Sequence, residues 1–572
     1  HVSLEESTGV IIEELKLRLQ RCQGKLPHIP GQYTILSDMA DWNPSEIIGD
    51  KPTTLSYSLY RELVTHRTWH EARTSQGYFD AFEGELMLSM ARKPYIDTRH
   101  SFASFTPASL SAATREKLVD LYLDVLACNR QLHDKVEFEI LYTCFDLSVH
   151  DRMRNRGGLS EEEENEILNA LKRQTNKLVL SFDEERTKDY QQLDALEWHL
   201  SSVQKLFSGK SSFHECFQAA YLLLEHTRKL GVLPFARLAR TGFIAKSLLS
   251  SLVEKDLISD DMLQEFLGSI PTVATQFLKD LHAVRSGTSS LEAFLREYGH
   301  LRMNTYDVSS PRYDRFSTDF WLSSPVSTKS NSQRRASMEL SSTHIDKMLT
   351  DAGFEFDSRC LLSFARSAIQ AREESKFRFT RALSCLLEYL AKGGELLGVT
   401  RDEIQYATLP VLLRFRNPEW ASVAKASQYL RQRIDEKTEE RSAFDLVKLP
   451  SVIVSPADLD IVEISESRPN FISHKCVDGF VVRLKKNNQP VGLDLAGKIV
   501  VIDNADPGYD WIFSFKIGGL ITKYGGVASH MAIRCHEFDL PGAIGCGELI
   551  FSRVESARSV RLDCKTGVIF VI

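Results

Sequence analysis

The first three quarters of the chain carry the hydrophobic pattern of amphipathic helices. From about Leu15 to Lys448 apolar residues recur at helical spacing, as Leu118, Tyr122 and Val125 do within one such run. Apolar residues three and four positions apart lie on one face of a helix. The pattern predicts a mostly α-helical body over residues 1–449.

Local signals predict where some of these helices begin and end. Ser160 precedes a run of glutamates and is a good N-cap, and Gly231 is expected to end the helix before it. The stretch 323–344 is rich in serine and nearly without apolar residues, which predicts a mobile linker between two helical halves.

The pattern changes after residue 449. Short β-branched runs such as Lys498–Asp503 and Gly518–Thr522 are bounded by Gly, Asn, Asp and Pro, and "DCKTGV" is typical of a hairpin turn. A helix is expected over Ser529–Glu537. Residues 450–572 are therefore predicted to form a separate α/β domain.

Composition narrows the class of protein. The 572 residues have a net charge of −7, with charged residues of both signs interspersed, which argues against nucleic acid and anionic membranes as partners. The ten cysteines lack metal-ligand spacing, and no secretory signal or membrane-spanning run is present. We therefore expect a cytoplasmic protein with free thiols and no metal site.

One histidine lies where an anion is expected to bind. Ser529 and His530 open the predicted helix, whose first amides have no partners within the helix, and Gly525 and Gly526 allow close backbone approach. The positive end of the helix is expected to keep His530 neutral and nucleophilic, suited to accept a phosphoryl group. The alternatives are packing glycines and an ordinary surface histidine.

The sequence around this histidine resembles a known signature. "GGLITKYGGVASHMAIRCHEFDLPGAIG" is similar to the phosphohistidine motif of the swivelling domain in phosphoenolpyruvate synthase, pyruvate phosphate dikinase and rifampin phosphotransferase, and the resemblance covers Leu495–Gly545. It implies that His530 becomes phosphorylated.

The motif departs from the family at two places. His536 stands where the family has an arginine, and Ala528 where dikinases have a threonine. Arg534 lies on the same helical face as His530 and could supply the positive charge. It could equally be a solvated surface residue.

The body resembles the family members that lack a β/α barrel. Residues 365–409 are similar to helices of rifampin-phosphotransferase-like proteins. The opening segments resemble the L-glutamine kinase-like proteins of capsular polysaccharide clusters. This implies phosphoryl transfer from ATP, with Mg²⁺, through the histidine to the glutamine amide nitrogen in capsule phosphoramidate synthesis. We expect the ATP-grasp domain that binds ATP and Mg²⁺ to lie before residue 1, since the chain does not begin with Met and shows no phosphate loop.

An amino-acid acceptor needs an arginine for its carboxylate and an acid for its ammonium group. The candidates are polar residues set in otherwise structural segments of the body. The predicted acceptor-binding residues are Arg99, Glu137, Arg240, His300, Arg302 and Asp307. Each could instead form a structural ion pair.

Other functions remain open from the sequence. A phosphoenolpyruvate-synthase-like or rifampin-phosphotransferase-like kinase with another acceptor is the main alternative, and a non-catalytic phosphocarrier is the second. Asp38, Asp41 and Asn43 could hold a divalent ion, but a turn before a helix is favoured there. The oligomeric state is not predicted.

Overall fold

The computed structural model shows a large helical body joined to a smaller sheet domain. It describes residues 4–82, 84–207, 209, 211–322, 343–444, 447–460, 468–484, 494–526 and 529–572. Most of the predicted linker at 323–344, and Ala528, lie outside these residues.

Helices dominate the body, as the apolar spacing predicts. They are α1 (Leu4–Cys22), α2 (Pro44–Ile47), α3 (Thr54–Tyr60), α4 (Thr68–Ser75), α5 (Thr98–Ala103), α6 (Ala112–Cys128), α7 (Val149–Arg156), α8 (Glu161–Leu180), α9 (Phe182–Leu206), α10 (Phe213–Thr227), α11 (Leu233–Glu254), α12 (Asp260–Gly268), α13 (Val273–Arg285), α14 (Leu291–Tyr298), α15 (Thr318–Leu322), α16 (Thr343–Ala352), α17 (Ser358–Leu396), α18 (Arg401–Ile404), α19 (Leu409–Arg414) and α20 (Val423–Phe444).

The core of the body forms around the long helix α17. It packs against α10 and α11, and side chains such as Leu383, Leu386 and Leu387 on it are fully buried. Burial of apolar surface is the dominant favourable term in folding. The same helix extends toward the C-terminal domain, so its residues can contact both the body and that domain.

The predicted helix boundaries are right at Ser160 and wrong at Gly231. Ser160 caps α8 and forms a reciprocal capping box with Glu163. Gly231 lies in a π-helical turn, Arg228–Val232, that joins α10 directly to α11. A Cβ there would lie 2.8 Å from Phe379 Cβ, so the glycine allows close packing rather than ending a helix.

A small sheet in the body includes a strand from beyond residue 449. Its order is β2 (Met87–Met90), β3 (Lys93–Asp97), β1 (Leu36–Ser37) and β4 (Val452–Ile453). β4 pairs antiparallel with β1. The strand β4 therefore packs with the body although it follows the predicted boundary at 450. The first strand of the C-terminal sheet begins only at Asn470.

Within its described residues, the C-terminal domain is a seven-stranded mixed sheet with two α-helices. Its order is β11 (Val568–Val571), β10 (Ser559–Asp563), β6 (Cys476–Arg483), β7 (Ile499–Asn504), β8 (Gly519–Tyr524), β9 (Gly542–Ile544) and β5 (Asn470–Ile472), and its helices are α21 (His530–Glu537) and α22 (Gly547–Glu555). The strands β6 to β9 are parallel to one another, whereas β10 pairs antiparallel with β6 and β5 pairs antiparallel with β9. β10 and β11 form the predicted hairpin.

Buried aromatic residues join the two parts. Trp511, in the 3-10 turn Pro507–Phe515, lies 5.5 Å from Phe320 of α15, measured between ring centroids. Tyr313 of the body donates its hydroxyl to Gly508 O at 2.8 Å. The domain is thus docked on the body through a tightly packed contact.

Among the helices that the structure describes, none combines the length and the apolar character needed to cross a membrane.

Candidate functional site

His530 is the first residue of α21, as the sequence predicts. Ser529 is the N-cap, and its hydroxyl accepts a hydrogen bond from Ala532 N at 3.3 Å. The helix follows β8 and the Gly525–Gly526 loop, so the fold places the histidine at the carboxyl end of a parallel strand. Ligands in open α/β sheets commonly bind at this edge.

Both ring nitrogens of His530 face carboxylates. Nε2 lies 2.7 Å from Asp510 Oδ1, within the same domain. Nδ1 lies 3.1 Å from Glu373 Oε2, which comes from α17 of the body. The ring is buried, with only 6% of the residue exposed. His530 therefore bridges the two parts of the molecule.

The carboxylates overturn the expectation that His530 is neutral here. Burial and the charge of Arg534 lower the pKa of His530, but Asp510 and Glu373 outweigh them, and its pKa is raised above the ordinary value of 6.5. The helix terminus is only one contribution to the local field. The two carboxylates, which come from other segments of the chain, determine the direction of the pKa shift. They favour the imidazolium in this docked arrangement.

Arg534 is part of the same buried cluster and not a solvated surface residue. It is 1% exposed. Its guanidinium donates to Glu537 at 2.7 Å and to Glu373 at 3.1 Å, and its Nε lies 3.1 Å from His530 Nε2. Burial lowers the pKa of the neighbouring His536 to about 4, so this histidine is neutral near pH 7. Arg534 therefore supplies the positive charge on this helix.

The two glycines before the helix allow close packing. Gly525 has a φ of +149°, and a Cβ there would lie 2.7 Å from Ile544 Cγ2. Gly526 N donates to Glu46 Oε2 at 3.3 Å, a contact from the loop to the body. In this arrangement the Gly526 amide binds a protein carboxylate where the sequence predicts a phosphate.

A cavity of about 160 Å³ lies between the body and the start of α21. Ser529 and His530 form part of its wall, and so does Gly526. The remaining wall combines aromatic and aliphatic residues with polar and charged ones. Its aromatic residues include Trp42, Tyr60, Phe138, Phe235, Phe243 and Tyr306. A cavity that combines aromatic walls with convergent polar groups is typical of small-molecule sites.

Two of the predicted acceptor residues lie in this cavity. Glu137 and Arg240 both line it, and they form an ion pair with each other. Arg302 lines a smaller cavity of about 30 Å³ that also reaches His530. Its guanidinium is held by Glu388, by Ser384 Oγ at 3.1 Å and by Ser310 O.

The other three predicted residues lie apart from the cavity wall. The Arg99 guanidinium donates to the carbonyl oxygens of Gly24 and Cys22. His300 is buried against Phe377, and burial followed by the charge of Arg381 lowers its pKa to about 3.

Asp307 is buried as well, and its carboxylate accepts hydrogen bonds from Ser309 N and Ser309 Oγ. For Arg99, His300 and Asp307, the contacts in this structure are those of residues that hold local structure.

The structure adds cavity residues that the sequence reasoning missed. Arg372 and Lys376 line the cavity from α17, Glu46 lines it from α2, and Asp506 lies at its C-terminal side. On α17, Glu373 contacts His530 one residue after Arg372. The sequence held a signal for these residues of α17, because "REESK" at 372–376 places charged side chains on an otherwise apolar helix face. Nothing in that stretch indicates which distant residues its side chains contact.

The segment proposed as a possible ion site is a turn. Asn43 has a φ of 34° and precedes Pro44 of α2. Asp41 pairs with Arg73, while Asp38 lies 2.9 Å from Lys93 Nζ. Across the part of the chain that the structure describes, no group of three His, Cys, Asp or Glu side chains could hold a metal ion.

Comparison with known proteins adds one family match. Residues 494–567 match the family model described as PEP-utilising enzyme, mobile domain. This range holds Asp510, the glycine loop and α21. A search of curated proteins found no match. The match supports phosphotransfer through a phosphohistidine as the general activity of the C-terminal part.

Proposed function

We propose that the protein is a phosphotransferase in which His530 carries a phosphoryl group to a small molecule held in the cavity of the body. One observation carries the proposal. The histidine of the matched mobile domain lies in the wall of a cavity that is formed mainly by the helical body. A carrier residue must reach its acceptor, and this arrangement brings it there.

The carrier has to leave this docked position to be loaded. Both of its ring nitrogens face carboxylates, Asp510 and Glu373, at 2.7 and 3.1 Å. A phosphoryl group on either nitrogen would displace one of these carboxylate contacts, so this arrangement is that of the carrier without a phosphoryl group. We therefore propose that the C-terminal domain moves as a unit between a donor and this acceptor position, as domain closures do elsewhere.

ATP is the proposed donor. The resemblance to enzymes with an ATP-grasp domain supports it, together with Mg²⁺ as the ion that accompanies ATP. Both are expected to bind mainly to a domain that is not among residues 1–572. Transfer from His530 then breaks the nitrogen–phosphorus bond, and its electron pair returns to the imidazole ring. The acceptor atom forms the new bond to phosphorus.

The charged residues of the cavity fit an amino acid. Arg240 and Glu137 present a cation and a carboxylate side by side, which complements the carboxylate and ammonium groups of a zwitterion. Lys376 also lines the cavity and makes no ion pair with any residue that the structure describes. It is suited to contact phosphoryl oxygens. L-Glutamine, phosphorylated on its amide nitrogen for capsule phosphoramidate synthesis, is the acceptor proposed first.

A second class of acceptor is favoured by the aromatic wall. Trp42, Phe235 and Phe243 would contact an apolar group better than they would contact the chain of glutamine. A hydroxyl-bearing acceptor with an apolar body, as in rifampin-phosphotransferase-like kinases, is therefore the alternative. Phosphoenolpyruvate-synthase-like chemistry remains a further one.

The test is phosphoryl loading of the chain, followed by acceptor addition. Wild-type protein and His530→Asn are incubated with ATP and magnesium. In a parallel arm they receive phosphoramidate, a small phosphoryl donor that needs no ATP-grasp domain. Phosphorus NMR at neutral pH follows the phosphohistidine and then any product formed with L-glutamine, other amino acids or apolar alcohols.

Wild-type protein should be loaded in at least one arm, and His530→Asn in neither. His28→Asn, a substitution of an exposed histidine, is the matched control and should load like wild type. Equal loading of His530→Asn, or no loading of wild type in either arm, would contradict the proposed relay. Loading without transfer to any acceptor would favour the non-catalytic phosphocarrier instead.

A further inference from the structure

We propose that Glu46 takes the proton from the acceptor's hydroxyl or amide group as the phosphoryl group arrives from His530. The inference rests on the function proposed above and adds a catalytic residue to it. Transfer to a neutral nucleophile releases a proton, so a base within the cavity is needed. Neither the matched segment at 494–567 nor the sequence motifs include Glu46.

The fold places Glu46 on the same cavity as the carrier. It lies in the short helix α2, is 3% exposed, and lines the cavity with His530 and Ser529. Its Oε2 accepts hydrogen bonds from Gly526 N at 3.3 Å and from Asn43 Nδ2 at 3.2 Å. These two contacts fix the carboxyl group beside the loop that leads to His530.

The other oxygen of Glu46 is left for the acceptor. In the part of the chain that the structure describes, Oε1 has no hydrogen-bond partner, and no cationic side chain forms an ion pair with this carboxylate. A carboxylate with one anchored oxygen and one oxygen toward a cavity is arranged to accept a proton from a bound molecule.

Most of the other carboxylates on the cavity wall are already engaged. Glu137 pairs with Arg240, and Asp41 with Arg73. Both oxygens of Asp506 accept hydrogen bonds, from Gly508 N and from Thr305. Asp134 is the remaining rival, and it is included in the test below.

The surroundings of Glu46 give it a pKa at which it can accept and release a proton near neutral pH. Burial raises its pKa, Lys376 and Arg372 of α17 lower it, and the result is a pKa of about 7. Tyr60 of α3 also faces it.

Other charged groups near α2 are engaged elsewhere. Lys93, on the strand β3 that packs against α2, is held by Asp38 and Asp50. Asp506 follows β7, which also contacts α2, and accepts the hydrogen bonds given above. With its pKa of about 7, Glu46 is mainly ionised, and so able to act as a base, above about pH 7.

The step balances without a further reactant. The hydroxyl or amide atom of the acceptor bonds to phosphorus, and its proton moves to Glu46 Oε1. The nitrogen–phosphorus bond breaks, and its electron pair stays on the imidazole nitrogen. Glu46 later returns the proton to water when the product leaves.

The test compares transfer rates of wild type, Glu46→Gln, Glu46→Asp and Asp134→Asn over about pH 5.5 to 8.5. Each protein is first loaded at His530. The loaded fraction is measured, and rates are expressed per loaded protein with the best acceptor from the screen above. The thermal midpoint of each variant reports whether it is folded.

Wild-type transfer should rise with pH through about 7 and then level off. Glu46→Gln should lower the rate by about 10²- to 10⁴-fold, the usual contribution of a general base, and abolish the rise. Glu46→Asp should be slower than wild type but keep a rise with pH. Asp134→Asn should keep the wild-type profile.

Two results would overturn the inference alone. One is a Glu46→Gln variant that keeps both the rate and the pH profile of wild type. The other is loss of the rise in Asp134→Asn but not in Glu46→Gln. Failure of the loaded wild-type chain to transfer to any acceptor overturns the proposed function, and this inference with it.

Discussion

Replacing Glu373 by Gln is expected to weaken the contact between the body and the C-terminal domain. The Glu373 carboxylate lies 3.1 Å from both His530 Nδ1 and Arg534 Nη2, and its side chain is 4% exposed. Removing one partner of a buried pair costs about 3–5 kcal/mol when the other charge is left alone. Here both cations keep Asp510, so we expect about 1–3 kcal/mol, the usual cost of a buried polar group that loses a partner.

The loss is expected to depend on pH. The folded pKa of His530 is raised, so its stabilising effect is present below the ordinary value of 6.5 and is lost as pH rises through the folded pKa. Burial raises the pKa of Glu373, but His530 and Arg534 outweigh burial and lower it. Its stabilising effect is therefore present above the ordinary value of 4.5 and is lost at lower pH. The variant should differ most from wild type between these two values.

The assay is urea unfolding of wild type and variant at about pH 5.5 and about pH 8.5, which lie on either side of the ordinary histidine pKa. Glu374→Gln is the matched control, because Glu374 is the next residue on α17 and accepts a hydrogen bond from Tyr190 Oη at 2.9 Å, away from His530. The control should change the free energy of unfolding by less than about 0.5 kcal/mol at both pH values. A Glu373→Gln effect no larger than this control, or one that grows with pH, would refute the reasoning.

Two further predictions concern stability. Gly508→Ala should lower the thermal midpoint, with a loss of about 1–3 kcal/mol or more, because a Cβ there would lie 1.6 Å from Arg302 O. Gly268→Ala, where a Cβ meets nothing within 4 Å, should not lower it, and equal midpoints for the two variants would count against the close approach. Ser160→Ala should cost about 1 kcal/mol in urea unfolding by removing the cap of α8. Ser202→Ala, in the interior of α9, should cost less, and a loss as large as that of Ser160→Ala would contradict the capping reasoning.

Features that depend on neighbouring residues could be predicted from the sequence. The capping box at Ser160, the hairpin of β10 and β11 and the helix that begins at His530 are each specified within a few residues. The phosphohistidine motif likewise lies in one continuous stretch of the sequence, and the family match covers that stretch. Gly231 shows the limit, because its role depends on Phe379, which the local sequence does not include.

The cavity beside His530 shows what the sequence leaves undetermined. Glu137 and Arg240 were among the predicted acceptor residues, and they form an ion pair at the cavity. Arg99, His300 and Asp307 were predicted as well, but their side chains contact nearby backbone groups instead. Residue type indicates which chemistry a side chain can perform. Its position relative to the cavity depends on how the helices pack.

The order of residues along the chain is enough to predict a helical body, a C-terminal α/β domain and a histidine at the start of a helix. The environment of that histidine depends on how distant segments pack together. Glu373 and Glu46 come from distant helices to meet His530 and Gly526, and electrostatic interactions depend on distances in space rather than along the chain. For this reason the local sequence predicted a neutral histidine, whereas the folded protein holds it between two carboxylates that raise its pKa.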